Sequence, residues 1–479
     1  MNIPVLLARK RRARALAAGT VALAAGAIVL LRAPGSTIAS TVHTVASHGP
    51  SPRIEFSGPR VHGRIALSQG AVAAHGPRHV YAEVRLTADR EANAATARPV
   101  ALAVVLDTSG SMAGEKIQQA RSAVLELIER MRDDDRITFV TYSDGRNLVQ
   151  SLARVGDVRD RLRVTIPTID ASGGTMIPAA LELGASSLAM APETFARRIV
   201  LISDGQDGSG RPLDQVASEV RGRAEMGVTV STLGVGADYD ETFMTRLADA
   251  GRGNYEFMRD GSQLASFLAR ELREAGSTSV EQAVTGLTLP QGWHVTRAYG
   301  AEATSEGSRV TLPIGALFAG DQRTVVLDFT VDADAEGSAG EMVADVNYRI
   351  GPEARPVAIH VGGLPLRVVA SEDQAVATRD ITVYAAAESV VMAERQREAV
   401  DAWRRGDAAR AAAIAQSNAA ALSALQQAAP SPALLEQSNE YARDAVTFGS
   451  VSAASESGRS YGLRSNVSNR ARQVRAIAY

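Results

Sequence analysis

No cysteine occurs among the 479 residues. That absence excludes disulfides, thiolate zinc sites, iron–sulfur clusters and a cysteine nucleophile. It leaves the compartment open. Aromatic residues make up only 4% of the chain, which weakens any reading built on stacking against bases or sugars. Lysine is almost missing: it stands at Lys10 and Lys116 alone, and arginine supplies every other positive side chain. No mechanism follows from that bias by itself. The formal net charge is -2, so neither nucleic acid nor an anionic membrane is drawn in bulk. Beyond Leu31 no apolar run approaches the roughly 18 residues of a membrane-spanning helix, so no pore is expected there.

Hydrophobic residues at 45% and charged residues at 22% suit a globular chain of roughly three domains. The N-terminus is different. Lys10, Arg11, Arg12 and Arg14 precede an uncharged, Ala- and Gly-rich stretch over 15–31. At about 1.5 Å per residue it spans roughly 26 Å, just short of a hydrocarbon core. Residues 1–32 therefore read as a membrane anchor or a signal segment, the latter cut near 36–46. The positive-inside rule puts the basic cluster in the cytoplasm and the rest outside. The expected location is the cell envelope, single-pass and facing the periplasm or exterior, or secreted if the segment is cleaved.

Residues 33–50 read as a linker. Short alternating segments at 60–68 and 79–86 make 51–97 a β segment. Residues 98–278 change character. Apolar runs at 100–106, 136–142, 198–203, 228–235 and 254–258 alternate with helical stretches at 115–132, 177–189, 213–226, 240–250 and 261–275. This is the pattern of a doubly wound, mostly parallel, Rossmann-like α/β domain. Residues 279–368 return to strands, and 323–331 alternates well. We expect them to form one β-sandwich with 51–97, into which the α/β domain is inserted. Residues 369–448 read as a helical region, a hairpin over 377–404 and 407–427 joined at Gly406, with a third helix over 432–447. The Ser-, Gly- and Asn-rich stretch 449–479 reads as a disordered basic tail. Arg459, Arg464, Arg470, Arg472 and Arg475 face only Glu456 there. Such a tail is either simply solvated or docks on an acidic partner or lipid.

The run Asp107-Thr108-Ser109-Gly110-Ser111 follows the apolar strand directly. Ligands of open α/β sheets bind outside the carboxyl ends of strands. The run offers a carboxylate and hydroxyls on a tight turn, the oxygen donors that hard divalent cations prefer. Asp170-Ala171-Ser172-Gly173-Gly174-Thr175 opens the helix from Ile177, and its glycines leave the Thr175 hydroxyl room to reach an ion. Ser203-Asp204-Gly205 ends another strand. Asp, Ser and Gly are also ordinary turn residues, so any one run alone would mean little. Oxygen donors from three loops at one sheet edge mean more.

Together these runs resemble the von Willebrand factor A domain and its metal-ion-dependent adhesion site, whose pattern is Asp-x-Ser-x-Ser, a distant Thr and a distant Asp. Asp107, Ser109, Ser111, Thr175 and Asp204 match it in register. The resemblance implies that Ser109, Ser111 and Thr175 coordinate the ion, while Asp107 and Asp204 hold it partly through water. Mg²⁺ is expected, and Mn²⁺ or Ca²⁺ would also suit the donors. One position is left for an acidic residue of a protein partner. The layout also resembles bacterial von Willebrand-type proteins labelled calcium-activated chloride channel homologues, and the inter-alpha-trypsin inhibitor heavy chains.

Rival sites are poorer. None of the seven histidines lies in 98–278, so no imidazole base accompanies Ser109, Ser111 or Ser203. His75 and His79 have helical spacing, but Gly76-Pro77 separates them. No His-Glu-x-x-His, phosphate loop or Gly-x-Ser-x-Gly elbow occurs. Gly234-Val235-Gly236 reads as a plain turn, and Asp133-Asp134-Asp135 as a solvated one. The expected function is metal-dependent protein binding, for adhesion or assembly, and not catalysis. The alternatives are a structural component whose metal locks its own domains or subunits, and a metal-assisted hydrolase.

Overall fold

The structure, a computed structural model, describes residues 51–90, 98–259, 263–350 and 355–474. The N-terminal segment and linker expected at 1–50 lie outside the described residues. Among the described residues, no helix is long and apolar enough to cross a membrane.

The chain opens with β1 (Arg53–Gly58), β2 (Val61–Leu67), β3 (Ala71–Ala73) and β4 (Gly76–Ala88). The α/β region then runs β5 (Val100–Asp107), α1 (Glu115–Arg130), β6 (Arg136–Tyr142), β7 (Arg146–Arg154), α2 (Val155–Thr165) and α3 (Ile177–Leu188). It continues with β8 (Ala196–Ser203), α4 (Leu213–Glu225), β9 (Val228–Val235), α5 (Glu241–Ala250), β10 (Arg252–Met258) and α6 (Leu264–Gly276). Strands return as β11 (Thr278–Thr288), β12 (Trp293–Tyr299), β13 (Thr304–Glu306) and β14 (Arg309–Phe318). They end with β15 (Gln322–Ala333), β16 (Gly337–Ile350) and β17 (Arg355–Val369). Helices close the chain: α7 (Glu372–Val376), α8 (Ile381–Arg404), α9 (Ala408–Ala428), α10 (Pro432–Ser450) and α11 (Glu456–Val474).

The α/β sheet has the order β10-β9-β8-β5-β6-β7 and is parallel except for the β6–β7 pair. Its central strand β5 is buried along its whole length. A strand covered on both faces is apolar without interruption, and this one is apolar up to Asp107. Successive side chains point to opposite faces. Leu102, Val104 and Leu106 pack with Ile117 and Val124 of α1 and Phe267 of α6. Ala101, Ala103 and Val105 pack with Leu181 of α3, Val220 of α4 and Leu247 of α5. The sequence reading placed no strand or helix between 143 and 176, where β7 and α2 lie. β7 is an edge strand on which Gln150 alone is buried, so it lacks the apolar signal of its neighbours.

β4 and β15 pair antiparallel from Gly76↔Ala333 to Thr87↔Gln322. A strand from before the α/β domain thus lies against one from after it, which makes that domain an insertion. The sheet β1-β2-β4-β15-β12 and the sheet β13-β14-β11-β16-β17-β3 share one core. Ile65, Leu86 and Phe329 of the first meet Leu287, Val346 and Ile359 of the second.

The C-terminal region corrects two expectations. Residues 450–474 are not a disordered tail, because α11 runs to Val474 and packs on α8; the rest of the expected tail, 475–479 with Arg475, lies outside the described residues. The helical part is accordingly larger than a hairpin: α9 packs on both α8 and α10, and Gly406 (φ +88°) turns the chain between α8 and α9. The tail has few apolar residues, but several of its polar ones are matched. Tyr441 donates to Asn469, Tyr461 donates to Asp444, and Leu463 is buried in the core beneath α3, α4 and α5. Three of its arginines find counter-charges elsewhere in the chain. Arg470 pairs with Asp249, Arg459 with Asp238 and Arg472 with Glu440. Asp133-Asp134-Asp135 is also corrected. Asp133 and Asp134 pair with Arg159 and Arg154 at the surface, but Asp135 is buried. Its carboxylate accepts from the backbone amides of Val100 and Arg132, both at 2.9 Å.

If α11 is a docked part of the fold, Leu463→Ala lowers unfolding stability by about 2–4 kcal/mol through transfer and cavity costs. Denaturant titration measures this, and cleavage by protease within 449–474 should rise with it. A solvated tail would leave both unchanged.

Candidate metal centre

β5 delivers Asp107 to the carboxyl edge of the sheet, where the chain turns through Ser109 and a short 3-10 turn at Gly110–Met112 into α1. Asp107 is fully buried, so both its oxygens need partners. One accepts from the Ser109 amide at 2.8 Å, and the other from the Ser203 hydroxyl, at the end of β8, at 2.6 Å. Burial pushes the Asp107 carboxyl up from its ordinary range. The bonds from Ser203 and Ser109 oppose that rise, and the nearby Asp204 charge adds to it.

The loop before α3 is stitched to this turn. Ser172 donates its amide to the Thr108 carbonyl at 2.7 Å, and Gly110 donates to the Gly173 carbonyl at 2.9 Å. The loop after β8 is tied in turn to the α3 loop, where the Gly208 amide bonds the Thr175 carbonyl at 2.7 Å. These backbone bonds bring the side chains together. The Ser109 and Ser111 hydroxyl oxygens are 3.0 Å apart, and Ser111 donates to Asp204 Oδ1 at 2.7 Å. A Cβ on Gly205 would lie 3.0 Å from Thr175 Oγ1 and 3.7 Å from Ser111 Oγ. Those two hydroxyls therefore flank a space that only glycine leaves clear.

All five residues singled out in the sequence thus meet at one edge of the sheet. Asp107, Ser109 and Asp204 are buried, Thr175 is half-buried and Ser111 is exposed. Among the described residues, no group of three or more His, Asp or Glu could hold an ion. Here hydroxyls replace the additional carboxylates. This oxygen-only set with two carboxylates fits a hard divalent cation.

Ser203, which the sequence reading named without a role, anchors Asp107. Three further contributors escaped that reading. Asp144 accepts from the Gly174 amide at 2.7 Å and lies against Gly173. Its place just past β6, next to the central strand, was a usable signal. Asp207 accepts from the Ile177 amide at 3.0 Å and so holds the start of α3. Lys116, in the first turn of α1, bonds Asp204 Oδ2 and the Ser111 carbonyl. Asp170, part of the predicted loop motif, pairs instead with Arg121.

Residues 101–270 match the von Willebrand factor type A domain. The chain therefore carries a von Willebrand factor A domain, set within the sandwich. It is 32% identical over 202 residues to the uncharacterized protein YfbK of Escherichia coli, covering 40% of this chain and 34% of that one. It is 29% identical over 170 residues to inter-alpha-trypsin inhibitor heavy chain H3 of Rattus norvegicus, covering 32% of this chain and 18% of the other. The chain thus spans about a third or less of these relatives. A von Willebrand factor type A structure from Catenulispora acidiphila is matched over 89% of this chain and all of that one. Its TM-score is 0.66 at 20% identity, which shows a shared fold.

The raised Asp107 carboxyl has a testable consequence in chelator. Below the unfolded carboxylate range, about pH 4, both states are protonated. As pH rises, the unfolded chain releases its proton first, so stability falls until the folded value is passed. Asp107→Asn removes this contribution. Plotted against pH, its stability should decline less steeply than that of the wild type. Parallel curves in urea titrations would refute the assignment.

Proposed function

We propose that this chain is a divalent-metal-dependent protein-binding module, used in adhesion or assembly and exposed outside the cytoplasmic membrane. The observation that carries this reading is the convergence of Asp107, Ser109, Ser111, Thr175 and Asp204 from three loops, with Ser111 exposed at the rim. Ser109, Ser111 and Thr175 would hold the ion, with Asp107 and Asp204 supplying charge. The ion, Mg²⁺ by preference, would supply an electrophilic point at the surface that a partner's carboxylate can meet. von Willebrand factor A domains typically mediate protein–protein contacts, which supports a binding role over catalysis. The basic cluster ahead of the uncharged N-terminal stretch supports a location outside the membrane.

A second reading, in which the ion locks the protein's own domains, is favoured by one set of contacts. The Asp240 amide bonds the carbonyl of Gly205, next to Asp204, at 3.4 Å. The following residue, Glu241, is held by Arg404 of α8 and by Asn466 of α11. The rim of the site is thereby connected to the C-terminal helices.

Asp107→Ala should abolish Mg²⁺ binding by calorimetry while the circular dichroism spectrum stays that of the wild type. Unchanged affinity in the variant would remove the assignment. Chelator separates the two readings. The binding module loses capture of an acidic protein partner and keeps its melting temperature within about 2 °C, whereas a locked assembly melts several degrees lower or changes its oligomeric state.

A further inference from the structure

We propose that Lys116 is a resident counter-ion of the cation site: it neutralises Asp204, weakens divalent binding and leaves the loaded site with excess positive charge. This rests on the metal-binding reading above and concerns how that site is tuned.

The chain uses 51 lysines and arginines, and Lys10 and Lys116 are the only lysines among them. Lys116 is thus an ammonium in a chain whose other cations are almost all guanidinium groups. Its placement is also unusual for a helix. Lys116 sits in the first turn of α1, where the helix dipole disfavours positive charge. The offsetting partner is Asp204. That carboxylate is fully buried, whereas the Lys116 side chain is 32% exposed. Asp204 Oδ1 takes the Ser111 hydroxyl and Oδ2 takes the ammonium. The two oxygens are thus divided between the donor cluster and the lysine.

Space for the lysine is built in. A Cβ on Gly236, in the turn after β9, would lie 3.3 Å from Lys116 Nζ and 3.4 Å from its Cε. Gly236 has φ +79°, a conformation that favours glycine. The Gly234-Val235-Gly236 run is therefore more than a plain turn, because it frees the path by which Lys116 reaches Asp204. A compact ammonium suits that narrow path better than a planar guanidinium.

The charges decide the consequence. Asp107 and Asp204 together balance a divalent ion, and Lys116 then adds one further positive charge. Repulsion between the ammonium and the ion lowers divalent affinity. The same excess favours a carboxylate from outside, the group expected to complete the site. Without the ion, Lys116 keeps the buried Asp204 charge compensated.

The test is Mn²⁺ titration by calorimetry on the full chain, comparing wild type with Lys116→Met and Lys116→Gln. Glutamine keeps a hydrogen-bond donor without charge. Both variants should bind Mn²⁺ about ten-fold more tightly or better, and both should melt lower than wild type in chelator. Equal or weaker Mn²⁺ binding by the folded variants would overturn the proposal and make Lys116 only a prop for Asp204. Should one variant fail to fold, the other still decides. If wild type and Asp107→Ala titrate alike, the metal-binding reading itself falls, and the role of Lys116 falls with it.

Discussion

A carboxylate buried at the end of the central strand sets the terms for the rest of this molecule. Asp107 ends a run of apolar residues that is covered on both faces, so its charge has no water to rely on. Its oxygens are satisfied by a hydroxyl from the neighbouring strand and an amide from its own turn. Those bonds fix where β5 and β8 finish relative to each other. The α3 loop is then tied to the same turn through Ser172 and Gly110. The rim is cross-linked at these points because a buried charge cannot be left half-partnered.

The surrounding architecture keeps that edge clear. The sandwich closes through β4 and β15, so the α/β domain is held at both its chain ends by one sheet. The helices of the C-terminal region add a clamp along the side of the domain. Arg470 on Asp249 and Leu463 in the core fix α11 there. Glu241, gripped by Arg404 and Asn466, sits one residue from the contact with Gly205. A change at the site therefore has a short covalent and hydrogen-bonded route to the helices. Lys116 works in the opposite direction, placing a charge from α1 onto Asp204.

Much of this was legible in the sequence. The alternation of apolar runs with helical stretches reported the doubly wound domain, since strands covered on both faces must be apolar throughout. The five candidate site residues stood in readable runs because each follows a strand or opens a helix, where loops carry function. The edge strand β7 was not legible: it buries Gln150 alone, and an edge strand needs little apolar surface. The tail was misjudged for a related reason. Its helix is docked by polar pairs such as Tyr441 with Asn469, and by arginines whose carboxylates lie far away in the chain.

Chain order and residue type alone dictated most of the strands and helices and the five candidate site residues, because these depend on periodicity and on oxygen chemistry that local sequence displays. Which partner each charge meets was decided only in three dimensions. Asp204 with Lys116, Asp107 with Ser203 and Arg470 with Asp249 are each separated by 88 residues or more. Pairing a charge is a matter of distance through space, and spacing along the chain carries no record of it.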